Sequence, residues 1–189
     1  MPLIDEAAII PGTGFIFLAD PDTPKPMAIT DPRNPGPAWT NIGHTSLDDM
    51  PEIARDGDDP ETIGTWQNAK LRQTSPDVTY SITFQSVQAT ADTYRLYFGA
   101  GKDRVQPDGS FRIPARPEPQ VAALLFVIVD GQHLLPLWHP RTSLLGSDAV
   151  SLDATKFMQF PITATLLGSD SLGGDIGEWA TVTSTGPSS

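Results

Sequence analysis

Residues 78–99 read VTYSITFQSVQATADTYRLYFG, and this stretch decides the fold class. Val78, Tyr80, Ile82 and Phe84 are apolar while Thr79, Ser81, Thr83 and Gln85 are polar. A period of two gives an extended strand one dry face and one wet face. The alternation breaks at Ser86 and Val87, where the strand is expected to end or bulge. Thr90 is placed to cap a helix of about two turns. Tyr94 and Phe98 share one face of that helix, and Gly99 supplies its left-handed stop. Upstream, TIGTWQNAKLRQT (62–74) and then Ser-Pro-Asp read as a Trp-bearing strand followed by a turn.

The same reading extends outward to both sides. GTGFIFLA (12–19) is a candidate first strand and 39–43 a short second one. QPDGS (106–110) is a turn, because Pro presets φ and Gly accepts positive φ. Residues 111–115 predict a short edge strand, limited by Pro114. VAALLFVIV (121–129), then Asp130 and Gly131, then QHLLPLW (132–138) predict a hairpin closed by a two-residue type I′ turn. Its first strand is apolar on both faces, so each face must be covered, by the chain itself or by an adjacent subunit. Pro136 places the second strand near an edge or bulge. A short strand is expected over 150–152. From Met158 to Leu166 apolar residues alternate with Gln159, Pro161, Thr163 and Thr165, giving one more one-sided strand. The expected fold is mainly β, a β-sandwich or half-barrel with one short α-helix and long loops.

Those loops have distinct compositions. Residues 1–11 form an extended N-terminal arm with no helix of its own. A connector over 20–37 holds six prolines, which neither continue a helix nor donate to a ladder; it reads as extended, mostly solvated and able to lie across a neighbour. The loop over 44–61 carries Asp48, Asp49, Glu52, Asp56, Asp58, Asp59 and Glu61 against Arg55 alone, a net charge of −6. The body of the domain is expected to end at 167. A Gly/Ser-rich extension follows over 168–189; its Ile176, Trp179 and Val182 suit a last strand or a strap onto a neighbour, and its end, STGPSS, is expected to be flexible.

The formal net charge of −11 over 189 residues argues against a grip on nucleic acid, because affinity for phosphate comes from Lys and Arg. The chain has no cysteine, hence no disulfide framework and no thiolate metal site. The N-terminus lacks the basic and apolar regions of a signal peptide. The longest apolar run falls far short of the ~20 residues that span a bilayer, so a soluble protein with no membrane role is expected.

No enzyme emerges. DGDDPE (57–61 with Asp56 before it) lacks the alternate-position ligands of a calcium loop. GSDSLGG (168–174) superficially resembles a serine-protease nucleophile loop but carries an extra Leu172 and reads as a Gly/Ser loop. His133 and His139, six apart on one strand, lack a third zinc ligand at a suggestive spacing and read as surface or interface residues. No catalytic residue, cofactor or metal site is assigned.

The acidic loop, the Trp-bearing segment, the alternating Thr/Ser-rich strand, the helix ending in YFGAG (97–101) and the late run FMQFPITATLL (157–167) together resemble the major tail tube protein of long, flexible-tailed bacteriophages. The resemblance spans about residues 43–167 and rests on order and texture. It implies a virion protein, assembled in the host cytoplasm, that stacks as six-fold rings into a hollow tube through which viral DNA leaves without specific binding. The implied partners are other copies of the chain, with tape measure, tail terminator and tail tip proteins. The acidic loop, through Asp48, Asp49, Met50, Glu52, Ile53, Asp56, Asp58 and Asp59, would reach the next ring. Lys70, Arg72 and Arg95 are the candidate counter-charges, with Lys70 and Arg72 alternating on one strand. Thr79, Ser81, Thr83 and Gln85 are the first candidates for the lumen face, and Gln159, Thr163 and Thr165 are the alternative. The rival readings are a tail terminator or connector, a monomeric recognition module of adhesin or carbohydrate-binding type built on Trp39, Trp66, Trp138 or Trp179, and an enzyme using His139 or Ser143.

Overall fold

The computed structural model describes residues 3–184; residues 185–189, within the end expected to be flexible, lie outside the described residues. The strands are β1 (Thr13–Ala19), β2 (Thr40–Asn41), β3 (Glu52–Asp56), β4 (Thr62–Ile63), β5 (Arg72–Gln73) and β6 (Thr79–Ser86). After the helix α1 (Ala91–Phe98) come β7 (Gln120–Asp130), β8 (His133–Gly146), β9 (Phe160–Leu166), β10 (Glu178–Trp179) and β11 (Thr183–Ser184). The fold is mainly β with one helix, as the alternation predicts. The main sheet runs β2-β1-β7-β8-β9-β6-β3, with β10 and β11 added to β8, while β4 and β5 form a separate ribbon.

The main sheet is antiparallel and curled. Ile16 of β1 and Ile82 and Phe84 of β6 share one apolar cluster although three strands separate them, which a flat sheet does not permit. Ile82, Phe84, Leu124, Leu144 and Ile162 are fully buried there, each contributing about 1.5–3 kcal/mol. A bulge lets β8 serve this core along its whole length. Ala122 pairs with Thr142 but Leu124 pairs with His139, so β8 holds one extra residue at Pro140–Arg141. Leu137 and Leu144 are an odd number of residues apart and would otherwise face opposite sides; the bulge returns both to the core. Pro136 itself sits inside the ladder opposite Val127.

Helix α1 closes one end of the half-barrel. The Thr90 hydroxyl accepts from the Thr93 amide, and Gly99 ends the helix at φ 57°. The rings of Tyr94 and Tyr97 pack edge-on against Phe160, at 5.5 and 5.7 Å.

The second face of β7 is covered by the chain itself. Phe17, Ala123, Leu125, Val127, Leu134 and Trp138 form a second cluster with Trp39, and Ile29 of the proline-rich connector and Leu172 pack onto it. The connector is mostly exposed, as expected, but it is anchored to its own domain at several points. The Trp138 indole donates to the Thr23 carbonyl, the Asp22 amide donates to the Pro140 carbonyl, and Lys25 pairs with Glu178. Proline suits this task because an extended segment lying over side chains has no ladder partners to lose.

Several expectations are corrected. The N-terminal arm contains a single 3-10 turn over Asp5–Ala7. The hairpin turn is Gly131–Gln132, one residue later than predicted, since Asp130 pairs with His133. Only Gly131 has positive φ there, at 59°, which matches a type II′ turn and not a type I′. Residues 111–115 and 150–152 make only isolated bridges, Val105 to Phe111 and Ser151 to Gln159. The acidic loop is not all loop, because Glu52–Asp56 is β3, paired along β6. That strand is exposed throughout, so it lacks the one-sided apolar pattern that reveals strands in sequence. Trp66 and Lys70 lie in the turn of the β4–β5 ribbon, not on a strand.

Candidate functional site

The outside of the half-barrel is divided in two. Over β1, β7 and the first half of β8 it is apolar and covered; over β3, β6, β9 and the end of β8 it is largely polar, exposed on β3 and partly exposed on the other strands. Thr83 pairs with Thr163 and Ser81 with Thr165, and their hydroxyl-bearing side chains share the face opposite Ile82 and Phe84. Ser143 of β8 faces Thr165, and Glu52, Ala54 and Asp56 of β3 face Thr83, Ser81 and Thr79. The two alternative faces read from the sequence are therefore one continuous surface. Gln159 borders it, donating to the Ser46 hydroxyl. The paired positions on this face contribute hydroxyls, an amide and two carboxylates beside Ala54, Leu145 and Pro161, with no Lys or Arg.

At one margin the segment Asp48–Glu52 folds toward this surface, enclosing a hollow of about 360 Å³ with Thr83 and Gln85. The Gln85 Oε1 atom is buried there without a hydrogen-bond partner. Met50 and Ile53 remain about two-fifths exposed.

Beyond Asp56 and Thr79 the two chains of the β3–β6 pair continue side by side. The Thr74 amide donates to the Glu61 carbonyl, and the β4–β5 pairing follows. Gly57 permits this approach, since a side chain there would meet the Asp77 carbonyl oxygen. The result is a hairpin arm over 57–78, with Asp58, Asp59 and Glu61 along it and a fully exposed Trp66 at its turn. Lys70 and Arg72 ride on the same arm as these acids. Arg95 is on α1, where it pairs with Asp92 at 2.8 Å.

His139, expected at the surface or at an interface, is buried within the chain. It is 1% exposed and both ring nitrogens are engaged. Trp179 Nε1, which can only donate, lies 3.2 Å from Nε2, so Nδ1 carries the proton and donates to the Ile176 carbonyl at 2.9 Å. Burial holds its pKa below the ordinary imidazole value, with the Ile176 carbonyl opposing. The residue was missed because strand β10 and the residues just before it, which cover it, are too short to show a period. Within GSDSLGG, the Ser169 hydroxyl donates to Asp22 at 2.5 Å, and Asp22 in turn pairs with Arg141 at 2.8 Å. The Ser169 hydroxyl thus faces a carboxylate already paired with Arg141, and His139 is engaged elsewhere, by Ile176 and Trp179. Trp39 and Trp138 are buried, Trp66 is on the arm and Trp179 is on β10, so the tryptophans do not build one aromatic platform. Among the described residues, no group of three or more His, Asp or Glu is placed to hold a metal ion, and no helix is long and apolar enough to cross a membrane.

The family model described as phage tail tube protein matches residues 1–185. The chain belongs to the phage tail tube protein family. Among its relatives are the major tail proteins Gp23 of Mycobacterium phage D29 and Mycobacterium phage L5, each 26% identical over 173 residues, covering 86% of both chains. As a tail tube protein the chain is a structural component of a phage tail. The match runs through β10 and β11, so the strands added by the C-terminal extension lie within the family's span.

Proposed function

We propose that this tail tube protein polymerises as stacked six-fold rings into a conduit for DNA ejection, with the face of β3, β6, β9 and the end of β8 lining the bore. The observation that carries the reading is that the paired positions of that face hold no Lys or Arg, while Arg141 at its margin is paired with Asp22. Phosphate affinity comes from cationic side chains, so a wall of hydroxyls and carboxylates lets DNA slide without sticking. The sheet path ends in two unpaired borders, β2 and β3, which favours completion by neighbouring copies. A head-to-tail contact between such different borders closes into a ring when its rotation allows. The arm over 57–78 extends past the sheet and reaches the adjoining ring. Catalysis has no part in this reading. Tape measure, terminator and tip proteins are the further partners, and assembly takes place in the host cytoplasm. Negative-stain microscopy of the purified protein tests the proposal: rings or tubes with an axial bore support it, and strict monomers at high concentration overturn it.

A further inference from the structure

The arm and the hairpin over 104–112 lie at opposite ends of β6. Thr79, which opens the strand, pairs with Asp56, so residues 57–78 project from that end. Ser86, which closes it, pairs with Phe160, against which α1 packs. Phe111 is stacked on Phe98 at 6.1 Å and lies 5.8 Å from Tyr94, which fixes the second hairpin to the same helix. Val105 bridges to Phe111, and the Arg112 amide donates to the Arg104 carbonyl at 3.0 Å. An eight-residue strand separates the two features by roughly 25 Å, so they do not meet within one molecule.

Their net charges are opposite: over 57–78 Asp58, Asp59, Glu61 and Asp77 outnumber Lys70 and Arg72, and over 102–116 Lys102, Arg104, Arg112 and Arg116 outnumber Asp103 and Asp108. Asp56, Asp58, Asp59 and Glu61 are exposed and make no ion pair among the described residues. At the other end Lys102, Arg112 and Arg116 are exposed and equally unpaired, and Arg104 touches only its neighbour Asp103, at 3.5 Å. Asp108, the other acid of this hairpin, is turned onto the Ser110 amide and hydroxyl. Exposed apolar groups accompany both patches: Ile63, Trp66 and Leu71 on the arm, and Ile113 beside the basic hairpin.

We infer that the acidic arm of one copy docks on the basic hairpin of a second copy of this chain, pairing Asp58, Asp59 and Glu61 with Lys102, Arg104 and Arg112. The inference rests on the tube reading and names the receiving surface for its axial contact. Two unlike patches pointing opposite ways make a heterologous contact that propagates and does not close on itself. Each exposed pair is weak and salt-screened, but a ring presents the contact once per subunit, and multivalency multiplies it. The acids nearer the wet face, Asp48 and Asp49, are not part of this contact.

Charge reversal tests the pairing. Arg104→Glu with Arg112→Glu, and separately Asp58→Lys with Asp59→Lys, should each cut the sedimentable polymer at least ten-fold, with melting temperature and circular dichroism unchanged. The chain carrying all four substitutions should recover polymer to within a few-fold of wild type. Tubes that form as well with either reversed pair, or a four-fold variant no better than the two-fold ones, overturn the pairing and leave the tube reading standing. Wild-type protein that forms no tubes overturns both.

Discussion

Thr83 and Thr163 share a hydroxyl–hydroxyl hydrogen bond of 2.8 Å across the β6–β9 ladder. It ties together two strands separated by 80 positions in the chain and fixes the register that makes their polar residues one surface. Replacing Thr83 alone by Val leaves the Thr163 hydroxyl half-buried without its partner, and should cost about 1 kcal/mol. Replacing both should cost less than the sum of the singles, because a β-branched pair packs well across strands. A double-mutant cycle in urea measures the difference, and simple additivity would show that the bond contributes nothing.

The same face can be located in the assembled particle. Because the chain has no cysteine, Ser81→Cys places one reactive thiol on it. A small maleimide should label monomer and tube alike, whereas a polymer-linked maleimide too large for the bore should label only the monomer. Equal labelling of intact tubes by the large reagent would put this surface on the outside.

His139 makes stability fall in mild acid. Burial depresses its pKa from the ordinary 6.5, so the fold holds it neutral while the unfolded chain takes up a proton as pH drops below about 6.5. Its contribution is thus complete above that pH and declines as pH falls toward the folded value, levelling off below it. Melting temperatures between pH 8 and 5 should show the decline, with Trp179 fluorescence changing as β10 loosens. Trp179→Phe removes the donor to Nε2 and should shrink the acid-dependent loss; a loss of the same size would exclude His139 as its source.

The aromatic seam between α1 and β9 anchors the helix. Phe160→Ala removes the ring that Tyr94 and Tyr97 pack against and should cost about 3–5 kcal/mol. Thr90→Ala removes only the cap and should cost about 1 kcal/mol. Equilibrium unfolding ranks the two, and equal costs would mean that capping, not packing, holds the helix.

The arm is separable from the core. Replacing residues 58–77 by a short turn keeps the β3–β6 ladder, so the product should fold with a melting temperature within a few degrees of wild type and stay monomeric. Size-exclusion chromatography reads both outcomes. Undiminished polymerisation would remove the arm from assembly.

Much of this was legible in the sequence, for reasons that follow from local physics. A two-residue period at 78–85 and 158–166 sets strands with a wet face, Thr90 and Gly99 set the limits of α1, and an apolar run at 121–129 demands cover on both sides. Each signal depends only on neighbours in the chain. What covers that run, how Thr83 meets Thr163, and why Leu137 and Leu144 share a core despite their parity are set by long-range pairing and by the bulge at Pro140–Arg141. Strand β3, exposed on both faces, and strands β10 and β11, two residues each, leave no periodic trace. Their existence, and with it the burial of His139 and the reach of the arm, was decided only when the chain folded back on itself, since a backbone ladder is formed by partners that composition does not reveal.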